Sequence, residues 1–467
     1  MGLDPEHESA WRQAAEAAIA YRQGIDARVQ RPEAVYREAL EAFDAPLADA
    51  GQPPDAGQPP DAVVRDLIAR AEPGLSGTTG PRFFGWVIGA SHPVGVAADW
   101  LTSAWGQNAG NHVAAPAAAA AETIAARWLL DLLGLPAEAS VGFVTGATMA
   151  NVVGLAAARG EVLRRAGWDV EADGLFGAPP IAVLIGDDAH ATVFSALQFL
   201  GLGHARVVRV ATTAQGAMDA DAFEAALADC SGPIIVVTQA GQINTGAFDP
   251  HQRIVPLAHA RGAWVHVDGA FGLWARACPA RAHLGTGIDA ADSWATDGHK
   301  WLQTPYDCGY AIVRDAEAHR RAMTVAASYL PPVAEGERDP SHTVPELSRR
   351  ARGFATWAMI RHLGRRGIAD MVERHCRLAR RMAGALAADP RVAVLNEVVL
   401  NQVIVRFGDD DDLTLRVIRR IQEDGTCFAG GANWRGRWVM RLSVIGATTE
   451  ADADISVAAI RRALDAA

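Results

Sequence analysis

Apolar residues recur at helical intervals over residues 8–49, where Trp11, Ala15, Ala18 and Ile19, and then Val35, Leu40 and Phe43, mark one face each. The hexapeptide Gly51-Gln52-Pro53-Pro54-Asp55-Ala56 is repeated at once over 57–62. Paired prolines cannot continue a helix, so the pattern predicts an extended connector. A helix over 63–71 follows it. Residues 80–87 are aromatic and punctuated by glycine; helical spacing resumes over 93–105, and an alanine-rich helix over 117–133 stops at Gly134 and Pro136.

From Val141 the period changes. Short apolar, largely β-branched runs at 141–144, 181–185, 206–210, 233–238 and 263–267 alternate with helical segments, and 309–313 adds one more strand. Such runs between helices predict a large, mostly parallel sheet with helices on both faces. Residues 326–344 are charged and proline-rich, which predicts a mobile loop. A long helix over about 348–387 leads to a smaller unit reading strand 402–407, helix 413–423, strand 438–443 and helix 451–464. The pattern divides the chain into an N-terminal helical segment (1–80), a large α/β domain (81–345) and a C-terminal small α/β domain with its connecting helix (346–467).

Composition narrows the possibilities. The 467 residues are half hydrophobic, enough to bury a sizeable core. A net charge of −11 argues against a nucleic-acid partner, which would need a clustered basic face. Five cysteines without CxxC spacing form neither a disulfide framework nor a zinc site, and suit a reducing compartment. The first residues lack an apolar signal core, and no apolar stretch is long enough to span a bilayer. A cytoplasmic protein with no metal and no membrane partner is the expectation.

The chemistry concentrates where strands end. The run 263–267 ends on Asp268 and enters a Gly-Ala turn, the place where open α/β sheets put their ligand crevices. Lys300 stands 32 positions later, after Asp297-Gly298-His299, with Trp301 behind it. Few charged residues adjoin it in sequence, so desolvation is expected to favour its neutral, nucleophilic amine. A Schiff-base lysine with an upstream aspartate for a ring nitrogen is the pairing that pyridoxal phosphate requires. Thr145-Gly146-Ala147-Thr148 carries a strand into a helix through small residues, offering backbone N–H groups and a positive helix end to a phosphate. His190 follows the strand 181–185 and can present a flat ring at the same sheet edge. The loop 238–250, which contains Gln239, follows another strand end with glycines that permit close approach to a ligand.

In their order these motifs resemble the group II pyridoxal-phosphate-dependent decarboxylases, relatives of aromatic-L-amino-acid decarboxylase within fold type I. The likeness runs from about Gly80 to the C-terminus and is most specific at 266–270 and 297–307. It implies an α/β fold of type I and pyridoxal 5′-phosphate held on Lys300, with Asp268 at the ring nitrogen, His190 stacked on the ring and Ala270 packed beneath it. Ala147, Thr148 and His299 would hold the phosphate. Trp86, Val87 and Gln239 would border the substrate, with Phe84 near the same apolar pocket, and Arg349 matches an arginine near the dimer-facing helix. The activity implied is decarboxylation of an aromatic or bulky apolar L-amino acid through an external aldimine and a quinonoid, in a homodimer with shared active sites. Two departures keep alternatives open. Gln239 stands where the family usually has threonine, and 330–345 lacks the family's loop tyrosine, leaving His342 as a weaker proton donor. A carbon–carbon lyase and an oxygen-consuming aldehyde synthase are the alternatives.

Overall fold

The computed structural model describes residues 2–45, 58–324 and 338–467. Most of the repeated hexapeptide and most of the 326–344 loop lie outside the described residues. The N-terminal segment forms helices α1 (Pro5–Gln23), α2 (Tyr36–Phe43) and α3 (Pro60–Ala71). Next come α4 (Pro93–Trp105) and α5 (Pro116–Leu133), both entered through a proline at the first turn and closed by a left-handed glycine, Gly106 or Gly134.

The large domain is a seven-stranded sheet: β1 (Ser140–Val144), β2 (Ala182–Gly186), β3 (Val208–Val210), β4 (Ile234–Gln239), β5 (Trp264–Asp268), β6 (Ser293–Asp297) and β7 (Gly309–Val313). Its order is β1-β7-β6-β5-β4-β2-β3. Only β7 runs against the others, pairing antiparallel with both β1 and β6. The mostly parallel sheet expected from the sequence is therefore present, with one strand, β6, that the sequence pattern did not mark. Alternation sorts the faces: Val265 and Val267 enter one core, whereas Trp264 enters the other and His266 meets Asn151 on α6 (Ala147–Arg165).

The helix Gly353–Ala387 carries one non-helical residue, Gly364. Met359 to Cys376 contribute to the large core, and Leu378 to Leu386 to a second core with the C-terminal residues. That second core lies on an antiparallel sheet of order β10-β11-β9-β8, built from β8 (Val392–Val394), β9 (Gln402–Phe407), β10 (Gly430–Trp434) and β11 (Arg437–Ser443). The short strands β8 and β10 escape the sequence pattern because three residues, or a Gly-Gly start, carry no alternation. Among the described residues no helix is long and apolar enough to cross a membrane.

Candidate active site

The carboxyl ends of the parallel strands line up. Gln239 on β4 is level with Asp268 on β5, which is level with Ala295 on β6. A cavity of about 270 Å³ opens there. Val87, Ala147, Thr148, His190, Gln239, Asp268, Ala270, His299 and Lys300 all border it. Residues spread over more than 200 positions thus converge, most of them because they end a strand, follow one closely or start a helix at one sheet edge.

Asp268 is buried, and its Oδ1 accepts the Ala270 N–H at 3.2 Å. Burial pushes its carboxyl above the usual range, with His190 and Lys300 pulling it back. His190 caps the helix Ala191–Phe199, and its Nδ1 lies 2.8 Å from the Thr192 hydroxyl and accepts the Thr192 N–H at 3.3 Å. With Nδ1 accepting, the neutral ring carries its proton on Nε2. Burial lowers the pKa of this imidazole, and Asp268 works in the opposite direction.

Lys300 differs from its expectation. Its Nζ lies 2.8 Å from Asp297 Oδ2, on a carboxylate only 2% exposed. The other oxygen of Asp297 accepts the Ala147 N–H at 2.5 Å and lies 3.5 Å from His299 Nε2. The lysine is thus ion-paired rather than isolated among uncharged neighbours. In the sequence Asp297 reads only as part of a turn. Its position three residues before Lys300 and at the end of a strand was the available signal. His299 accepts the Cys308 N–H at Nδ1 and lies beside the Tyr306 ring, 4.4 Å between centroids; burial lowers its pKa.

The segment before α4 closes the cavity under strain. Trp86 and Val87 both adopt left-handed φ, 52° and 59°, a conformation that β-branched valine rarely tolerates. Gly89 explains how the segment fits: its N–H donates to the His299 carbonyl, and a Cβ on it would come within 2.0 Å of that oxygen. Val87 borders the cavity. Trp86 does not border it; the indole is 57% exposed and lies against Phe83 and Phe428. Phe84 is fully buried in the second core. Gln239 borders the cavity with its Nε2 donating to the Asp188 carbonyl at 3.3 Å. His342 belongs to a 3-10 turn, Pro340–Thr343, packed on β1, and is not among the residues around the cavity. Arg349 is fully buried, 2.7 Å from Glu122, and donates to the carbonyls of Ala109 and Phe143, so it ties α5 to β1.

Arg441 on β11 was not anticipated. It is largely desolvated, which lowers its pKa to about 10, and its charge acts on His190. Its guanidinium donates to Asn244 Oδ1 at 3.2 Å, and no carboxylate pairs with it among the described residues.

This donor set fits pyridoxal phosphate. The first N–H groups of α6 have no intrahelical partner, and Thr148 adds a hydroxyl. Lys300 supplies an amine for the aldehyde. Asp268, raised by burial, is the group that gains most from a cationic ring nitrogen.

The pyridoxal-dependent decarboxylase conserved domain matches residues 46–407. Aromatic-L-amino-acid decarboxylase of Sus scrofa is 29% identical over 449 residues, covering 92% of this chain and 90% of that protein. In fold, the chain is similar to Oryza sativa TDC solved with PLP and tryptamine, with a TM-score of 0.90 at 23% identity over 100% and 99% of the two chains. It is also similar to Rhodiola rosea 4-hydroxyphenylacetaldehyde synthase, with a TM-score of 0.87 at 21% identity over 99% of each chain.

Proposed function

We propose that this chain, which belongs to the pyridoxal-dependent decarboxylase family, removes carbon dioxide from an aromatic or bulky apolar L-amino acid. The observation that carries this reading is the convergence of Lys300, Asp268, His190 and the start of α6 on one cavity. When bound, pyridoxal phosphate supplies an electron sink for the pair left behind by carbon dioxide.

The chain's own residues do the rest. Lys300 would hold the cofactor by its amine. Asp268 would pair with the ring nitrogen and keep its proton in place within a buried, low-dielectric site. His190 and Ala270 would confine the ring. Thr148 and the first turn of α6, with His299 at their edge, would bind the phosphate. Arg441, a desolvated cation without a carboxylate partner among the described residues, would be available to pair with the substrate carboxylate. Val87 and Ile243 border the cavity with apolar groups, and the names of the relatives support an aromatic side chain.

The assembly proposed is a homodimer with shared active sites. A groove of about 1050 Å³ between α1, α3 and α4 is lined by Ile19, Leu67 and Trp100, and these three side chains are exposed in the single chain. A second copy would cover such an apolar surface. The five cysteines are free and buried, which supports a reducing, cytoplasmic location.

The second reading, an oxygen-consuming aldehyde synthase, is favoured by the absence of tyrosine from 330–345 and by the placement of His342 away from the cavity. The test is a visible spectrum before and after borohydride, followed by a panel of L-amino acids. Amine with carbon dioxide supports decarboxylation. Aldehyde with peroxide supports the second reading, and aldehyde without peroxide or carbon dioxide supports carbon–carbon cleavage. A protein that takes up no pyridoxal phosphate overturns all three.

A further inference from the structure

The small domain meets the active-site edge through a hairpin tip of unusual composition. β10 and β11 are joined by Arg435-Gly436, with Trp434 paired to Arg437 across the turn. Both turn residues are left-handed, φ 53° and 80°. This turn matches the twist of a hairpin and usually takes asparagine, aspartate or glycine at its first position, so an arginine held there is strained.

The arginine side chain crosses to the large domain. Its Nη2 donates to Asp188 Oδ2 at 2.9 Å, to Thr212 Oγ1 at 3.1 Å and to the Thr213 carbonyl. Thr212 donates its own hydroxyl to the same Asp188 oxygen at 2.5 Å. The tip is also seated sterically. Trp434 is buried beneath the Arg435 guanidinium, and a Cβ on Gly216 would approach its indole to 2.8 Å.

Asp188 links this contact to the cavity. Its backbone carbonyl accepts Gln239 Nε2 at 3.3 Å and Gln242 Nε2 at 3.2 Å. Two residues further on, His190 caps its helix and borders the cavity. One residue therefore takes the small domain on its carboxylate and two amides of the 239–242 loop on its carbonyl. Arg435 and Asp188 are partly exposed, at 41% and 23%, and such pairs contribute little to stability. A strained arginine with a weakly stabilising ion pair points to orientation as its role.

We propose that Arg435 is a positioning residue that acts through Asp188. It fixes residues 187–190, and so the seating of the His190 ring, only when the small domain is docked. The proposal rests on the reading that His190 faces the cofactor ring.

The test compares Arg435→Gly, which removes the guanidinium and relieves the turn, with Arg435→Lys, Asp188→Asn and the Asp188→Asn/Arg435→Gly double variant. Amide hydrogen exchange over 187–192 is measured without cofactor, and visible circular dichroism, kcat and KM with pyridoxal phosphate. Arg435→Gly is expected to keep the wild-type Tm, to speed exchange over 187–192 by about tenfold, and to weaken the cofactor dichroic band. Its kcat should fall by about ten- to a hundredfold, the range expected from a small misplacement, while KM changes far less. Lysine should restore part of the band, and the double variant should be no worse than the glycine variant alone.

Wild-type exchange and wild-type kcat in Arg435→Gly overturn the proposal. So does a loss of activity that only tracks a lowered Tm, with exchange and dichroism unchanged. A wild-type protein that binds no pyridoxal phosphate sinks the cofactor reading instead, and the exchange comparison then still decides whether the latch exists.

Discussion

Lys300 and Asp297 form an ion pair of 2.8 Å, and the same carboxylate holds the first N–H of α6 at 2.5 Å through its other oxygen. One buried group thus connects the nucleophile to the helix end that would receive the phosphate. Replacing Lys300 with alanine should abolish turnover and remove the borohydride-sensitive absorbance band. Asp297→Asn keeps an acceptor for the Ala147 N–H but removes the carboxylate charge that holds the Lys300 amine in the ion pair. At neutral pH this variant should attach the cofactor to Lys300 faster than wild type does, measured by stopped-flow absorbance on the apo protein. Unchanged attachment kinetics would refute this role for Asp297.

Asp268 is buried, and His190 and Lys300 oppose the effect of that burial on its carboxyl. Asp268→Ala should bind pyridoxal phosphate more weakly and lose most of its activity, and Asp268→Asn should keep the shape but not the charge. A fall of about a hundredfold or more in kcat is expected for both, since each removes the charged partner of the ring nitrogen. A fluorescence titration of the cofactor alongside steady-state rates separates binding from turnover.

Arg441 should act on the substrate carboxylate alone. Charge-assisted hydrogen bonds contribute about 1.5–3 kcal/mol, so Arg441→Gln should raise KM for the amino acid by roughly ten- to a hundredfold. The inhibition constant of the corresponding amine, which lacks the carboxylate, should stay near the wild-type value. A parallel loss for both compounds would contradict this role.

His266 illustrates the pH dependence of the fold. Its ring lies between Ser293 Oγ at 2.8 Å and Asn151 Oδ1 at 2.9 Å, and burial lowers its pKa to about 3. In the unfolded chain a histidine titrates near 6.5. Between those values the unfolded state binds the extra proton, so the stability due to neutral His266 is complete above about pH 6.5 and is lost as pH falls toward 3. The slope is about 1.4 kcal/mol per pH unit for one such group. His251, His319 and His375 are buried with the same shift and add to it. Urea unfolding at pH 7 and pH 5.5 should show a marked loss for wild type. His266→Gln should be less stable at pH 7 and show a smaller difference between the two pH values.

The sequence by itself determined the elements and the chemistry at their ends. Proline entries and glycine exits set α4 and α5 to the residue or within one, and apolar runs located six of the seven large-sheet strands, because capping and alternation are local properties. Asp268, His190 and Ala147 were legible as candidates since a residue at a parallel strand's carboxyl end, or just beyond it, enters the crevice whatever packs elsewhere, and Lys300 was legible from its place after the Asp297-Gly298 turn and its pairing with Asp268. Tertiary structure decided the rest. The partner of Lys300, the loss of Trp86 and Phe84 from the cavity wall, the burial of Arg349 against Glu122 and the approach of Arg441 and Arg435 from the small domain depend on how distant surfaces meet. Side-chain direction across a domain interface is set by packing and by the need to satisfy buried charge, and neither leaves a period in the chain.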